Sequence, residues 1–244
     1  MRILLTGHMG FIGSQLYETL RKEYTVYGID LKDGKDILTC SLDYSVDLVI
    51  HLAGKSGVRD SMKTPGPYWH VNVEGSKRIF EYFGKKGVRV IYASSSSAYE
   101  PTLNPYAASK YLLEKMAEKY NNFLGLRLHT VYSDTPRKGM FFDKLLNGTL
   151  EYVIPHKRDF IHLDDVCDAI KLCVDDAELT GIVDIGTGTS VRIQELAPNL
   201  PVHLNTMHER SCTKANVATL TYKGFKPKYT VKNFLTSKGF ESKL

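Results

Sequence analysis

The chain has 244 residues, 43% of them hydrophobic and 24% charged, with a formal net charge of +5. That length supports one substantial core with a small appended lobe, and the composition is that of an ordinary globular protein. No apolar run is long enough for a membrane helix, and Lys and Arg are scattered rather than interleaved with aromatics as a nucleic-acid surface requires.

These features lead us to expect neither a membrane nor a nucleic-acid partner, and a cytoplasmic location by default. Cys40, Cys167, Cys173 and Cys212 show no paired spacing, and the eight histidines show no ligand spacing. No metal site is therefore expected.

In chain order, Arg2 to Thr6 is a short apolar run suited to a buried parallel strand. It leads into Gly7-His8-Met9-Gly10-Phe11-Ile12-Gly13, and Ser14 to Lys22 then reads as a helix. In a strand–glycine turn–helix unit, Gly7 makes the turn and Gly10 lets the backbone approach a pyrophosphate. Gly13 permits close packing, and the helix N-terminus faces the phosphates. Phe11 and Ile12, between the glycines, are counted among the expected cofactor-binding residues. A second strand, Tyr24 to Ile29, ends at Asp30, 17 residues after Gly13. A carboxylate there suits a ribose 2′-hydroxyl and repels a 2′-phosphate, so NAD is the expected cofactor. The alternative is an αβ unit without a ligand.

Strands follow at Leu48 to Leu52, Val88 to Ala93 and Leu124 to His129, with helices at about Tyr68 to Gly84, Tyr106 to Asn121 and Asp164 to Asp175. This alternation predicts an α/β, doubly wound parallel sheet with right-handed crossovers. Residues 1–132 form the expected dinucleotide-binding domain, with later segments such as 159–186 returning to it. Residues 133–244 form mainly a small substrate lobe. Only 16 residues separate Asp30 from Asp47, enough for one small strand around Asp36 and a helical turn.

Tyr106 and Lys110 are four apart, hence on one helix face. A phenol holds its proton to a pKa of ~10, and a nearby cation favours the phenolate. With a hydroxyl beside it, the pair makes a general acid/base for a sugar hydroxyl. An incidental surface Tyr and Lys is the plainer alternative.

Together these segments resemble the extended short-chain dehydrogenase/reductase family, especially nucleotide-sugar epimerases and dehydratases. The resemblance implies that Tyr106, Lys110 and Ser95 are catalytic, although Ser94, Ser96 and Ser97 blur the register. It implies that Asp36-Ile37 lies beside the adenine and that Leu52-Ala53-Gly54 passes the cofactor. Arg59 belongs to the substrate side. Asn72 positions backbone or water near the site, or caps its helix. Arg158 is brought to the substrate diphosphate. Family dehydratases and decarboxylases carry an acid after the catalytic serine or threonine. Ser96 and Ser97 stand there here, which disfavours elimination and leaves 4-epimerisation with recycled NAD.

Thr130 and Arg137, seven apart, resemble the carboxylate grip of UDP-glucuronate 4-epimerases. Arg137 on a solvated loop is the alternative. Six residues separate Tyr99 from Tyr106, where relatives carry a long loop. The expected ligand is a UDP-sugar, most of all a UDP-hexuronic acid. Rival readings are a UDP-glucose/galactose-type epimerase, a dehydratase, decarboxylase or reductase of the same family, and a non-catalytic NAD-binding protein. A homodimer is expected through Ile79, Phe80, Phe83, Leu112, Leu113 and Met116.

Overall fold

The computed structural model describes residues 1–204 and 206–240. It divides into two compact units: Met1–Arg127 with Ile170–Val183, and Leu128–Ala169 with the chain from Asp184 onward. Within the later segment, Ile170–Val183 is grouped with the first unit and 159–169 with the second.

The first unit begins β1 (Arg2–Thr6), α1 (Phe11–Leu20), β2 (Thr25–Ile29) and β3 (Leu48–His51). Helices α2 (Val58–Lys63) and α3 (Gly66–Tyr68) follow, then a π-helical stretch, Trp69–Gly75, that runs into α4 (Ser76–Lys85). Next come β4 (Arg89–Ser95), α5 (Pro105–Ala117) and β5 (Leu124–Leu128). The second unit carries β6 (Thr130–Tyr132), α6 (Phe141–Leu146), β7 (Lys157–His162) and the start of α7 (Leu163–Asp175). After β8 (Gly181–Ile185) it continues with β9 (Ser190–Arg192), α8 (Ile193–Leu196), α9 (Ala218–Tyr222) and α10 (Val231–Ser237).

The large sheet has strand order β2-β1-β3-β4-β5-β8, and β1 pairs in parallel with both β2 and β3. Its central strands are buried on both faces, which explains their unbroken apolar runs. No strand forms around Asp36 among the described residues. The chain instead makes a 3-10 turn at Leu31–Asp33, capped reciprocally by Asp30 and Asp33, and leaves β2 at the sheet edge. Sixteen residues must also cross from one side of β1 to the other, which leaves too few for an added strand.

Ile79, Phe80, Phe83 and Leu113 are at most 1% exposed and pack in the core with Leu4, Val49 and Val90. Their periodic face therefore serves their own sheet, and Met116 packs against the same cluster. The exposed or half-buried face of α4 and the turn before it carries Glu74, Lys77, Glu81 and Lys85.

In the second unit β7 pairs in parallel with β6 and antiparallel with β9. A separate core gathers Tyr132, Phe142, Phe160, Leu196 and Phe234. Among the described residues no helix is long and apolar enough to cross a membrane, and no His/Cys/Asp/Glu group suits a metal.

Candidate active site

The glycine turn follows β1. Gly7 has φ of +75°, and a Cβ on it would lie 2.7 Å from the Ala53 nitrogen. A Cβ on Gly13 would lie 2.0 Å from the Gly7 oxygen, so only glycine lets α1 seat against the turn. Gly10 donates its N–H to the Gly7 carbonyl at 3.0 Å and precedes Phe11 and Ile12. No side chain caps this end of α1, and its first turn holds no acid. Its orphan N–H groups suit a pyrophosphate.

The turn after β3 lies alongside. Leu52 donates to the Thr6 carbonyl at 3.1 Å, and Ala53 donates to Thr6 Oγ1 at 3.2 Å. The same Thr6 hydroxyl lies 2.7 Å from Nδ1 of His51, whose Nε2 lies 2.8 Å from Ser76 Oγ. Burial, reinforced by the Lys110 cation, pushes the pKa of His51 down to about 3. This histidine is a neutral strut between β1, β3 and α4.

Asp30 is 9% exposed and bridges two backbone donors, Met9 N–H to Oδ2 and Lys32 N–H to Oδ1, each at 2.9 Å. It therefore ties the glycine turn to the end of β2. The glycine cradle, the open helix end and this carboxylate fit an NAD molecule.

Tyr106 and Lys110 sit on α5. Asn104 starts that helix by accepting the Ala107 N–H at 2.8 Å, with Pro105 in the first turn. Tyr106 donates its backbone N–H to Ser61 Oγ of α2 at 3.2 Å, and its ring meets Tyr68 edge-on at 6.2 Å. Lys110 is buried, donates to the Ala93 carbonyl at 2.8 Å, and has its pKa lowered by desolvation to about 8. A Cβ on Gly54 would stand 3.5 Å from Lys110 Nζ and 2.9 Å from Asn72 Oδ1. The lysine, the β3 turn and Asn72 thus converge.

Strand alternation resolves part of the serine run. Ser94 donates to Glu114 Oε1 at 2.5 Å and is committed to α5. Ser95 ends β4 on the opposite pleat, where its Oγ accepts the Ser97 N–H at 3.1 Å. Ser96, also buried, begins the following 3-10 turn.

Asn72 lies in the π-helical stretch with no solvent exposure. It accepts Lys55 N–H at 2.7 Å and donates to Lys55 O and Ser109 Oγ, both at 3.0 Å. Both amide protons are spent on protein, which gives it a positioning role between the β3 turn and α5. Ser109, Glu114, Arg127 and Arg78 did not emerge from the motifs. The one local signal was an acid, Glu114, four residues after Lys110 on a helix face that had to be buried.

Arg59 lies exposed in the first turn of α2. The remaining expected residues are in the second unit. Thr130 opens β6, and Arg137 is exposed on the connection to α6. Arg158 on β7 donates to Arg210 O at 2.8 Å and His156 Nδ1 at 2.9 Å, and meets Glu209 Oε2 at 3.3 Å. Its neighbour Asp159 is fully buried and accepts from Thr187 N–H and Oγ1, Gly188 N–H and Ala215 N–H at 2.7–2.9 Å.

The NAD dependent epimerase/dehydratase family model matches residues 3–186. The chain belongs to this family. A putative UDP-glucose 4-epimerase of Methanocaldococcus jannaschii is 30% identical over 80% of this chain and 79% of that protein. A UDP-glucuronate 4-epimerase of Thermodesulfobacterium geofontis is 28% identical over 67% and 68%. The solved structure of MoeE5 in complex with UDP-glucose and NAD is 28% identical, covers 98% of this chain and 97% of its own, and superposes with a TM-score of 0.84. MoeE5 has also been solved with UDP-glucuronic acid and NAD. The family is NAD-dependent, and the α/β fold is the one its solved members share.

Proposed function

We propose that this chain is an NAD-dependent nucleotide-sugar 4-epimerase whose substrate is a UDP-hexuronic acid such as UDP-glucuronate. The observation that carries this reading is the combination of an enclosed Lys110 one turn from Tyr106 with Ser96 and Ser97 where elimination needs an acid. Bound NAD supplies a hydride acceptor and donor for the sugar carbon. Gly7, Gly10, Gly13 and the start of α1 hold the pyrophosphate, Asp30 the adenosine ribose, and Asp36-Ile37 the adenine. Tyr106 takes the C4 hydroxyl proton as that carbon is oxidised, with Ser95 hydrogen-bonding the same oxygen. Lys110 holds the nicotinamide ribose and keeps positive charge near the phenol. After the 4-keto sugar turns, Tyr106 returns the proton to the inverted alcohol.

Thr130 and Arg137 hold the carboxylate, a planar anion matched to a guanidinium fork. Holding that carboxylate also discourages loss of CO2 from the β-keto acid. Arg158 meets the diphosphate, and Arg59 lies on the sugar side. The same reading includes an isologous homodimer.

The test is incubation with UDP-glucuronate, UDP-galacturonate and UDP-glucose carrying deuterium at C4, with products read by mass and NMR. The expected product has the substrate's mass, keeps its deuterium and is inverted at C4, without free NADH. A product lighter by water or CO2 overturns the reading. Turnover of UDP-glucose alone overturns only the uronate assignment.

A further inference from the structure

The large sheet ends at β2, although a doubly wound dinucleotide-binding sheet ordinarily places a further strand outside it. The adenine-side residues Asp36 and Ile37 therefore have no strand to fix them. They lie on one tight turn, in which Thr39 and Cys40 donate to the Asp36 carbonyl at 3.0 and 2.7 Å and Leu38 donates to Asp36 Oδ1 at 2.9 Å.

Two contacts from one helix hold this turn. Arg78 of α4 donates Nη1 to the Ile37 carbonyl at 2.6 Å and Nη2 to the Cys40 carbonyl at 2.5 Å. One turn earlier, Gly75 leaves room for Ile37, whose Cδ1 lies 2.6 Å from where a Cβ would be. A rigid, planar guanidinium fork fixes both the distance and the orientation of two carbonyls, as a strand ladder would. Asp36 Oδ2 has no hydrogen-bond partner among the described residues, so one carboxylate oxygen stays available as an acceptor.

We propose that Arg78 is a positioning residue for adenine recognition: it replaces a missing strand by locking the Asp36-Ile37 turn, so that Asp36 accepts from the adenine 6-amino group. This inference rests on the placement of the adenine beside Asp36-Ile37. Arg78 and Asn72 lie on the same continuous helical run, 66–85. One element thus positions the adenine turn at one end and the Lys55–Ser109 clamp at the other.

The experiment is calorimetric titration of the full chain, Arg78→Ala and Arg78→Lys with NAD and with nicotinamide hypoxanthine dinucleotide. The hypoxanthine analogue lacks the amino group. The native chain is expected to prefer NAD by about tenfold, the worth of one hydrogen bond to a charged acceptor. Arg78→Ala should lose most of that preference while its affinity for the analogue hardly changes. Arg78→Lys, which can keep one carbonyl contact, should lie between them. If Arg78→Ala weakens both dinucleotides equally, its role is merely structural and the proposal fails. If Arg78→Ala does not fold, the preference shown by Arg78→Lys decides, and an unchanged ratio overturns the proposal. A native chain that binds both equally removes the Asp36 contact. A native chain that binds neither overturns the cofactor reading itself.

Discussion

Arg127 grips Glu114 with two parallel hydrogen bonds, Nε to Oε1 at 2.8 Å and Nη2 to Oε2 at 2.7 Å. Glu114 is 2% exposed, also takes the Ser94 hydroxyl, and lies one turn beyond Lys110 on α5. The guanidinium also sits 4.0 Å over the Tyr99 ring. The pair therefore fixes the helix bearing Tyr106 to β4 and β5. Arg127→Met leaves a buried carboxylate unpaired and should cost about 3–5 kcal/mol of stability in urea unfolding. A loss within error of zero would show that the pair holds nothing in place.

Tyr106→Phe removes only the hydroxyl and keeps the ring against Tyr68. Turnover should fall about 10²–10⁴-fold, as for loss of a general acid/base. NAD affinity by calorimetry should be nearly unchanged. Near-normal turnover would take the proton transfer away from this residue.

Asp30 should make the chain prefer NAD to NADP. Asp30→Ala should narrow that preference and also weaken NAD, because it frees Met9 N–H and Lys32 N–H that the carboxylate now holds. Competitive titration with both cofactors reads the ratio. Equal binding by the native chain refutes the assignment.

Lys110 gives a pH signature. Folded, it releases its proton near pH 8; unfolded, near 10.5. Between those values the unfolded chain binds more protons, so stability rises with pH across the window, and below it the full desolvation cost is present. Lys110→Met should therefore raise the melting temperature of the cofactor-free chain at pH 7, with the gain fading above about 8. Activity should be abolished in the same variant. Melting curves that keep a constant offset across the pH range would contradict the assigned shift.

Since Ile79, Phe80, Phe83 and Leu113 are taken up by their own sheet, assembly is expected to use the charged face of α4 together with Leu112, which that core leaves half-buried. Glu74, Lys77, Glu81 and Lys85 give the outer face of α4 and the stretch before it charges of both signs, which a second copy can match around a two-fold axis. Light scattering should find a dimer that weakens as salt rises. Lys77→Glu should weaken it further. A monomer at micromolar concentration in low salt ends this expectation.

The glycine turn, the end of β2 at Asp30, the shared helix of Tyr106 and Lys110 and the alternation of strands and helices were legible because each is a pattern local in the chain. Periodicity showed that Ile79, Phe80, Phe83 and Leu113 share an apolar side, but a period cannot say what covers that side; their own sheet does. The serine run hid its register until β4 was seen to extend to Ser95, which sends Ser94 to Glu114. The missing strand near Asp36 was not foreseen, since its substitute is a side chain 41 residues away. The expectation for Arg158 concerns the substrate diphosphate and says nothing of its protein partners, two of which, Arg210 and Glu209, lie about fifty residues later.

Asp159 gives the second unit something close to a crosslink. Its two oxygens collect four donors from segments 28, 29 and 56 residues downstream. Closing a flexible loop costs entropy that grows only slowly with its length, so one carboxylate can gather distant turns nearly as cheaply as near ones. The three short strands of that unit make a small ladder, and a single buried side chain ties in the loops that the ladder does not reach. The two halves of this chain thus keep their shape by different means, one by repeated backbone pairing and the other by a knot.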